Sequence, residues 1–150
     1  MSGPCPPLRV LVVEDESLLA LDIEMTVEEC GHTVAGEARC LHSAKALADD
    51  TDPHLAFVDV QLARGTSGLD VSAMIQERWP NTMIVFVTAN PARILDDFRG
   101  AHGLIAKLFS LSGLAEALAY LSEGVCAPPP HQRQPDCFIA SPEVTSRWQI

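Results

Sequence analysis

Apolar and polar positions along the chain form five repeats of a short apolar run followed by a longer segment with helical periodicity. The apolar runs predict strands at 8–13, 32–37, 54–58, 82–87 and 103–106. The periodic segments predict helices at 17–30, 41–50 and 69–78, a short helix from Pro91 and a last one from Leu111. This alternation with short connections predicts a doubly wound α/β domain with a five-stranded parallel sheet and right-handed crossovers.

Polar residues and glycines mark several helix ends. Ser17 and Ser110 stand where a side-chain oxygen caps the first and last helices, and Gly31 is placed to end the first. Asn90 is placed to cap the helix after the fourth strand, with Pro91 as its first residue.

The pattern divides the chain into three parts. Residues 1–7 are a Pro-rich leader that we expect to be disordered, and residues 8–124 form the domain. Residues 125–150 begin with a stiff linker, Ala127 to Pro130, and the tail beyond it shows no strong periodicity. We therefore expect no second domain after the first.

Composition restricts the classes of partner and location. The formal net charge of -10 repels phosphate backbones, so nucleic acid is not expected as a ligand. No stretch resembles a signal peptide or a membrane span, and the five cysteines are odd in number with no zinc-ligand spacing. The five histidines are scattered, so none is assigned to a metal. These features predict a cytoplasmic protein with reduced thiols.

Polar residues suited to one chemistry follow four of the predicted strands. Glu14 and Asp15 follow the first strand, Asp59 the third, Thr88 the fourth and Lys107 the fifth. In an open parallel sheet ligands bind beyond the carboxyl ends of the strands. We therefore expect these five side chains to meet in one crevice.

Three carboxylates in one crevice repel each other, and a hard divalent cation with oxygen ligands relieves that repulsion. Mg²⁺ fits best, with Mn²⁺ as a substitute. Asp59 would then attack phosphorus, while Lys107 and Thr88 hold the other phosphoryl oxygens.

Each of these residues also has an ordinary structural interpretation. An acidic pair before a helix favours the helix N-terminus, Asp59 and Thr88 are common turn and cap residues, and Lys107 is by default a solvated lysine. Four such roles would have to coincide at the correct strand ends in the correct order. That coincidence favours the phosphoryl site.

The segments Val12–Glu16, Phe57–Asp59, Val87–Ala89 and Ala106–Lys107 resemble the motifs of receiver domains of bacterial two-component response regulators, across residues 8 to 123. The resemblance implies a flavodoxin-like (βα)5 fold with Asp59 as phosphoacceptor. It also implies that Asp15, Asp59 and the main-chain carbonyl of Gln61 bind Mg²⁺ directly, and that Glu14 acts through water.

Three features depart from the usual receiver. Leu108 replaces the proline that follows the lysine, so a trans peptide is expected there. Leu104 replaces the usual Tyr or Phe, so coupling to output is expected to differ from the Thr-to-aromatic switch. The loop from Asp59 to Gly68 is slightly long and is similar to loops of alphaproteobacterial receivers.

The sequence thus predicts a stand-alone receiver that accepts a phosphoryl group from a histidine kinase or phosphotransfer protein. Its output would be contact with an unknown downstream protein or a phosphate sink in a relay, with a homodimer left open and no enzyme activity beyond self-phosphorylation and dephosphorylation. A pseudo-receiver that binds proteins without phosphorylation is the alternative. Two enzyme classes with similar sheets are disfavoured. A phosphatase of the haloacid dehalogenase type requires an acid at the position of Gln61, and a flavin protein requires a Ser-, Thr- or Gly-rich loop where this chain has Glu14 and Asp15.

Overall fold

The structure is a computed structural model and describes residues 6–62, 67–91, 98–107 and 109–148. Its strands form one sheet in the order β2-β1-β3-β4-β5-β6. The strands are β1 (Arg9–Val13), β2 (Thr33–Ala38), β3 (Leu55–Asp59), β4 (Met83–Thr88), β5 (Gly103–Ala106) and β6 (Phe138–Ala140). The first five pair in parallel, and β6 pairs antiparallel with β5.

Among the described residues, five α-helices join or flank these strands. They are α1 (Ser17–Glu29), α2 (Leu41–Lys45), α3 (Gly68–Arg78), α4 (Leu111–Cys126) and α5 (Pro142–Trp148). Within the described ranges, no helix is long and apolar enough to cross a membrane.

The central strands are buried on both faces, as their continuous apolar runs predicted. In β1, Val10 and Val12 contribute to one core cluster, while Leu11 and Val13 contribute to the other. Successive side chains of a strand point to opposite faces, so one apolar run supplies both clusters. The predicted α/β class and the parallel five-stranded core are confirmed.

The tail adds a sixth strand, antiparallel, to the five parallel strands that were predicted. Residues 138–140 pair with the free edge of β5, and α5 follows directly. A strand of three residues has too few positions to show an alternation, so the local pattern could not reveal it. Helix α4 also continues past Gly124 to Cys126, two residues beyond the predicted end of the domain.

The helices differ from prediction in smaller ways. Ser17 is the first residue of α1 rather than its cap, and the preceding Glu16 makes no side-chain cap bond. The second helix ends at Lys45, and a single 3-10 turn follows at Asp49–Thr51. Ser110 does cap α4, since its hydroxyl accepts from the Gly113 amide.

Some predictions concern residues outside the described ranges. The leader 1–5, most of the short helix after Pro91 and the peptide at Leu108 belong to this group. The described end of the segment after β4 is a 3-10 turn at Phe98–Gly100.

Candidate functional site

Parallel pairing brings the ends of four strands to one edge of the sheet. Val13 is opposite Val58, Asp59 is opposite Val87, and Thr88 is opposite Ala106. Each of these strands ends within one residue of its partner's end. The polar residues that end or follow them therefore lie side by side.

Asp59 is the last residue of β3 and is 4% exposed. Its Oδ1 accepts a hydrogen bond from the Gln61 amide at 2.9 Å, and its Oδ2 accepts one from Lys107 Nζ at 2.9 Å. A carboxylate has about four acceptor positions, so both oxygens keep free lone pairs. Asp59 is thus fixed in orientation but still able to bind or attack.

Glu14 is 2% exposed and incompletely paired. Its Oε2 accepts from the Glu16 amide at 3.1 Å. Its Oε1 lies 3.5 Å from Lys107 Nζ, without hydrogen-bond geometry, and has no hydrogen-bond partner among the described residues. Burial and the neighbouring Asp59 raise the pKa of Glu14 to about 8. A buried acceptor without a partner is costly, so this oxygen marks a place for a cation.

Lys107 follows β5, and its ammonium lies between Asp59 and Glu14. Partial burial lowers the pKa of Lys107, but the hydrogen bond to Asp59 and the charges of both acids outweigh it and raise the pKa. Lys107 therefore carries a positive charge in this crevice.

Oxygen atoms of Glu14, Asp15 and Asp59 all lie within 4.8 Å of one another. One ammonium does not balance three carboxylates, and hard oxygen donors in such a cluster suit Mg²⁺. The Oε1 of Glu14, which lacks a hydrogen-bond partner in the described part of the chain, is consistent with this donor set. The residues present therefore fit the ion that the sequence predicted.

Thr88 and Gln61 line the same cleft, which encloses about 40 Å³. The Thr88 hydroxyl accepts from the Asn90 amide at 3.0 Å, and its carbonyl accepts from the Lys107 amide at 2.7 Å. The structure brings together all six predicted site residues, which are Glu14, Asp15, Asp59, Gln61, Thr88 and Lys107.

The sequence interpretation missed the role of Gly68. A Cβ atom built on Gly68 would lie 1.9 Å from the carbonyl oxygen of Asp59. The Gly68 amide donates to the Val60 carbonyl at 2.7 Å, which holds the start of α3 against the end of β3. The sequence showed only a Ser-Gly break before a helix, although Gly where two backbones meet closely is a recognised signal.

Leu104, which replaces the usual aromatic, is 2% exposed and belongs to the core cluster that also contains Phe98. Leu108 lies outside the described residues. Leu104 therefore packs in the core, and the trans peptide at Leu108 stays a prediction.

The fold and the site define a receiver domain. The family model described as "Response regulator receiver domain" matches residues 10–119, so the chain belongs to that family. It is 37% identical over 113 residues to the phyllosphere-induced regulator PhyR of Methylorubrum extorquens, covering 74% of this chain and 42% of PhyR. It is 31% identical over 126 residues to the transcriptional regulatory protein PdtaR of Mycobacterium tuberculosis, covering 79% of this chain and 61% of PdtaR. The chain thus spans less than two-thirds of either curated relative.

Solved structures place the chain in the same group. The receiver domain of Erythrobacter litoralis PhyR matches with a TM-score of 0.69 and 29% identity, over 84% of this chain and 97% of that one. Brucella abortus PhyR matches with a TM-score of 0.67 and 34% identity, over 81% of this chain and 49% of that one.

Proposed function

We propose that the receiver domain of this chain accepts a phosphoryl group on Asp59. The observation that carries the proposal is the position of the Asp59 carboxylate. It contacts the Lys107 ammonium on one oxygen and lies within the cluster formed with Glu14 and Asp15. A nucleophile beside a fixed cation and a metal-binding acid group is what phosphoryl transfer needs.

In the proposed reaction, a carboxylate oxygen of Asp59 attacks the phosphorus of a phosphohistidine. The P–N bond breaks, the imidazole nitrogen leaves with the bonding pair, and an aspartyl phosphate forms. Lys107 neutralises an oxygen of the transferred group, and the Thr88 hydroxyl lies in the same cleft as a donor to another. Water later attacks the acyl phosphate, which returns Asp59 and inorganic phosphate.

Asp15, Asp59 and the Gln61 carbonyl would hold Mg²⁺ directly, with Glu14 acting through water. When bound, the ion supplies charge neutralisation for the incoming phosphoryl oxygens. In this scheme Glu14 does not react with the phosphoryl group. With the ion bound, Glu14 would be ionised and would add negative charge beside it.

A surface next to the site suits a protein donor. Helix α1 exposes Leu18, Leu21 and Met25, with 74%, 50% and 49% of each residue accessible. Their spacing of three and four residues puts them on one face of α1. A cleft of about 250 Å³, lined by Leu18, Lys107 and Phe109 among others, joins this face to the acids. A histidine kinase or phosphotransfer protein docking here would bring its phosphohistidine to Asp59.

The output partner is a protein in this proposal. One solved relative, PhyR from Bartonella quintana, is described as an anti-anti-sigma factor. We infer by this likeness that phosphorylation changes a protein contact of this chain, or that the chain passes its phosphoryl group along a relay. The net charge of -10 argues against direct DNA contact.

The test is incubation of the full chain with acetyl phosphate and Mg²⁺, followed by a phosphate-affinity mobility-shift gel. The wild type should shift, Asp59→Asn should not, and chelation of Mg²⁺ should remove the shift. Asp70→Asn, at an exposed position of α3, is the matched control and should shift as the wild type does. Absence of a shift with every donor would favour the pseudo-receiver instead.

A further inference from the structure

The edge of β5 and one side of α4 are covered by the chain's own tail. Gly103, Leu104 and Ile105 pair antiparallel with residues 138–140. The Tyr120 ring contacts both tail aromatics, with centroids 5.8 Å from Phe138 and 5.6 Å from Trp148. The contact is therefore apolar and extends from the sheet edge to the helix.

Two glycines shape this surface to fit the tail. A Cβ on Gly103 would lie 2.5 Å from the Phe138 ring, and a Cβ on Gly124 would lie 2.3 Å from the Trp148 ring. Glycine inside a strand or helix costs stability relative to alanine. Glycine nevertheless occupies both positions, 103 and 124, where an aromatic ring of the tail packs. Gly103 and Gly124 therefore form two sockets in a groove between β5 and α4.

The segment that connects the groove to its occupant is solvent-exposed. Ala127, Pro128 and Pro129 are exposed, as are residues 131–133. The His131 and Gln132 amides donate to Glu123 Oε1, both at 3.1 Å. At the tail itself, Phe138, Val144 and Trp148 are 2%, 1% and 4% exposed. Buried anchors at the end of an exposed connection resemble a tethered ligand.

The family match ends at residue 119, within α4, so Gly124 and the tail both lie beyond it. Residues of β5 and α4 supply the groove, and the tail fills it. We propose that the β5–α4 groove is a docking site for a strand–helix segment with apolar anchors at the spacing of 138, 144 and 148. The chain's own residues 137–148 occupy it in cis, and a partner segment with the same pattern displaces them.

The test uses the full chain with its anchors removed, Phe138→Ser/Trp148→Ser, and a fluorescent peptide of residues 134–148. The peptide should bind this variant and should bind the wild type at least about tenfold more weakly, because the tethered tail competes at high effective concentration. A peptide with both anchors changed to serine is the control and should bind neither protein. With Trp148 absent, Trp79 is the remaining tryptophan and its emission reports folding. A folded variant that does not bind the peptide would overturn the proposal.

A second measurement decides the matter if that variant does not fold. A protease site inserted at the exposed residues 132–133 of the wild-type chain allows the tail to be cut from the intact protein. Replacement of the cut fragment by the labelled peptide, with the far-ultraviolet circular dichroism of the domain unchanged, supports a separable docking segment. Retention of the fragment without exchange, or unfolding on cutting, shows that the tail is a fixed part of the core and overturns the proposal.

Discussion

Polar groups are arranged in opposite ways at the two ends of the parallel strands, which are called here the carboxyl edge and the amino edge of the sheet. At the carboxyl edge Glu14, Asp15 and Asp59 converge, and Glu14 Oε1 has no hydrogen-bond partner among the described residues. At the amino edge the polar groups are paired. The Nδ1 atoms of His32, His54 and His102 accept from the amides of Leu8, Arg9 and Ile84, at 3.0, 2.9 and 3.0 Å.

The difference shows where this domain uses its stability. Each histidine directly precedes a strand and accepts from a backbone amide within a neighbouring strand or just before it, which is a stabilising arrangement. The carboxyl edge instead brings like charges together, and this costs stability until a cation is present. The amino edge therefore stabilises the sheet, and the carboxyl edge carries the strained acids of the proposed site.

The largest effect is expected where the carboxyl edge is most tightly packed. Gly68→Ala places a methyl group against the Asp59 carbonyl and should destabilise the fold by about 3 kcal/mol, the upper end for overpacking, because both atoms belong to constrained backbone. Chemical denaturation measures the change. Gly113→Ala in α4, where the nearest atom is the Ser110 hydroxyl, is the control and should change stability by less than about 1 kcal/mol. Equal losses of stability at the two positions would contradict a special requirement for glycine at position 68.

Removal of the lysine should expose the repulsion at this edge. Lys107→Met leaves Glu14 and Asp59 without their ammonium and should cost about 2 kcal/mol at neutral pH without metal. Mg²⁺ should then raise the melting temperature more in this variant than in the wild type, because the ion becomes the main counter-charge. Lys45→Met, at an exposed position of α2, controls for loss of a lysine. An identical Mg²⁺ response in Lys107→Met and the wild type would contradict this electrostatic description.

The two edges should respond to pH with opposite signs. Burial and Asp59 raise the folded pKa of Glu14 to about 8 from 4.5, so the folded state binds more protons between these values. The stability that Glu14 contributes is present below pH 4.5 and is lost as the pH rises through about 8. Glu14→Gln should therefore stabilise the metal-free protein by about 1–3 kcal/mol at pH 8.5 and by much less at pH 5. An equal gain at both pH values would show that Glu14 is not held neutral by its surroundings.

At the amino edge, burial lowers the pKa of His102 below 6.5, with Glu143 acting against this shift and Arg147 adding to it. The folded state then prefers the neutral imidazole, so stability is present above pH 6.5 and is lost as the pH falls below it. His102→Asn keeps an acceptor for the Ile84 amide and removes the titration. Between pH 7.5 and pH 5 the wild type should lose more stability than this variant. His42→Asn, at an exposed position of α2, is the control, and parallel pH curves for His102→Asn and the wild type would contradict the assignment.

The sequence predicted what depends on local pattern. Apolar runs such as Leu11–Val13 are buried on both faces, so they identified the strands, and the residues after them identified the carboxyl edge. It did not predict contacts between distant segments. The bond from Arg9 to His54 spans 45 residues, and the docking of Phe138 on Gly103 depends on a strand too short to show a period. Such contacts follow from the fold rather than from neighbouring residues.

The central claim is that acids from separate strands form one divalent-cation site beside Lys107. Titration of the full chain with Mn²⁺, followed by the paramagnetic resonance signal of the free ion, counts such sites directly. We expect one site in the wild type, a large loss of affinity in Asp15→Asn and Asp59→Asn, and wild-type binding in the exposed control Asp22→Asn. Equal Mn²⁺ binding in all four proteins would contradict the claim.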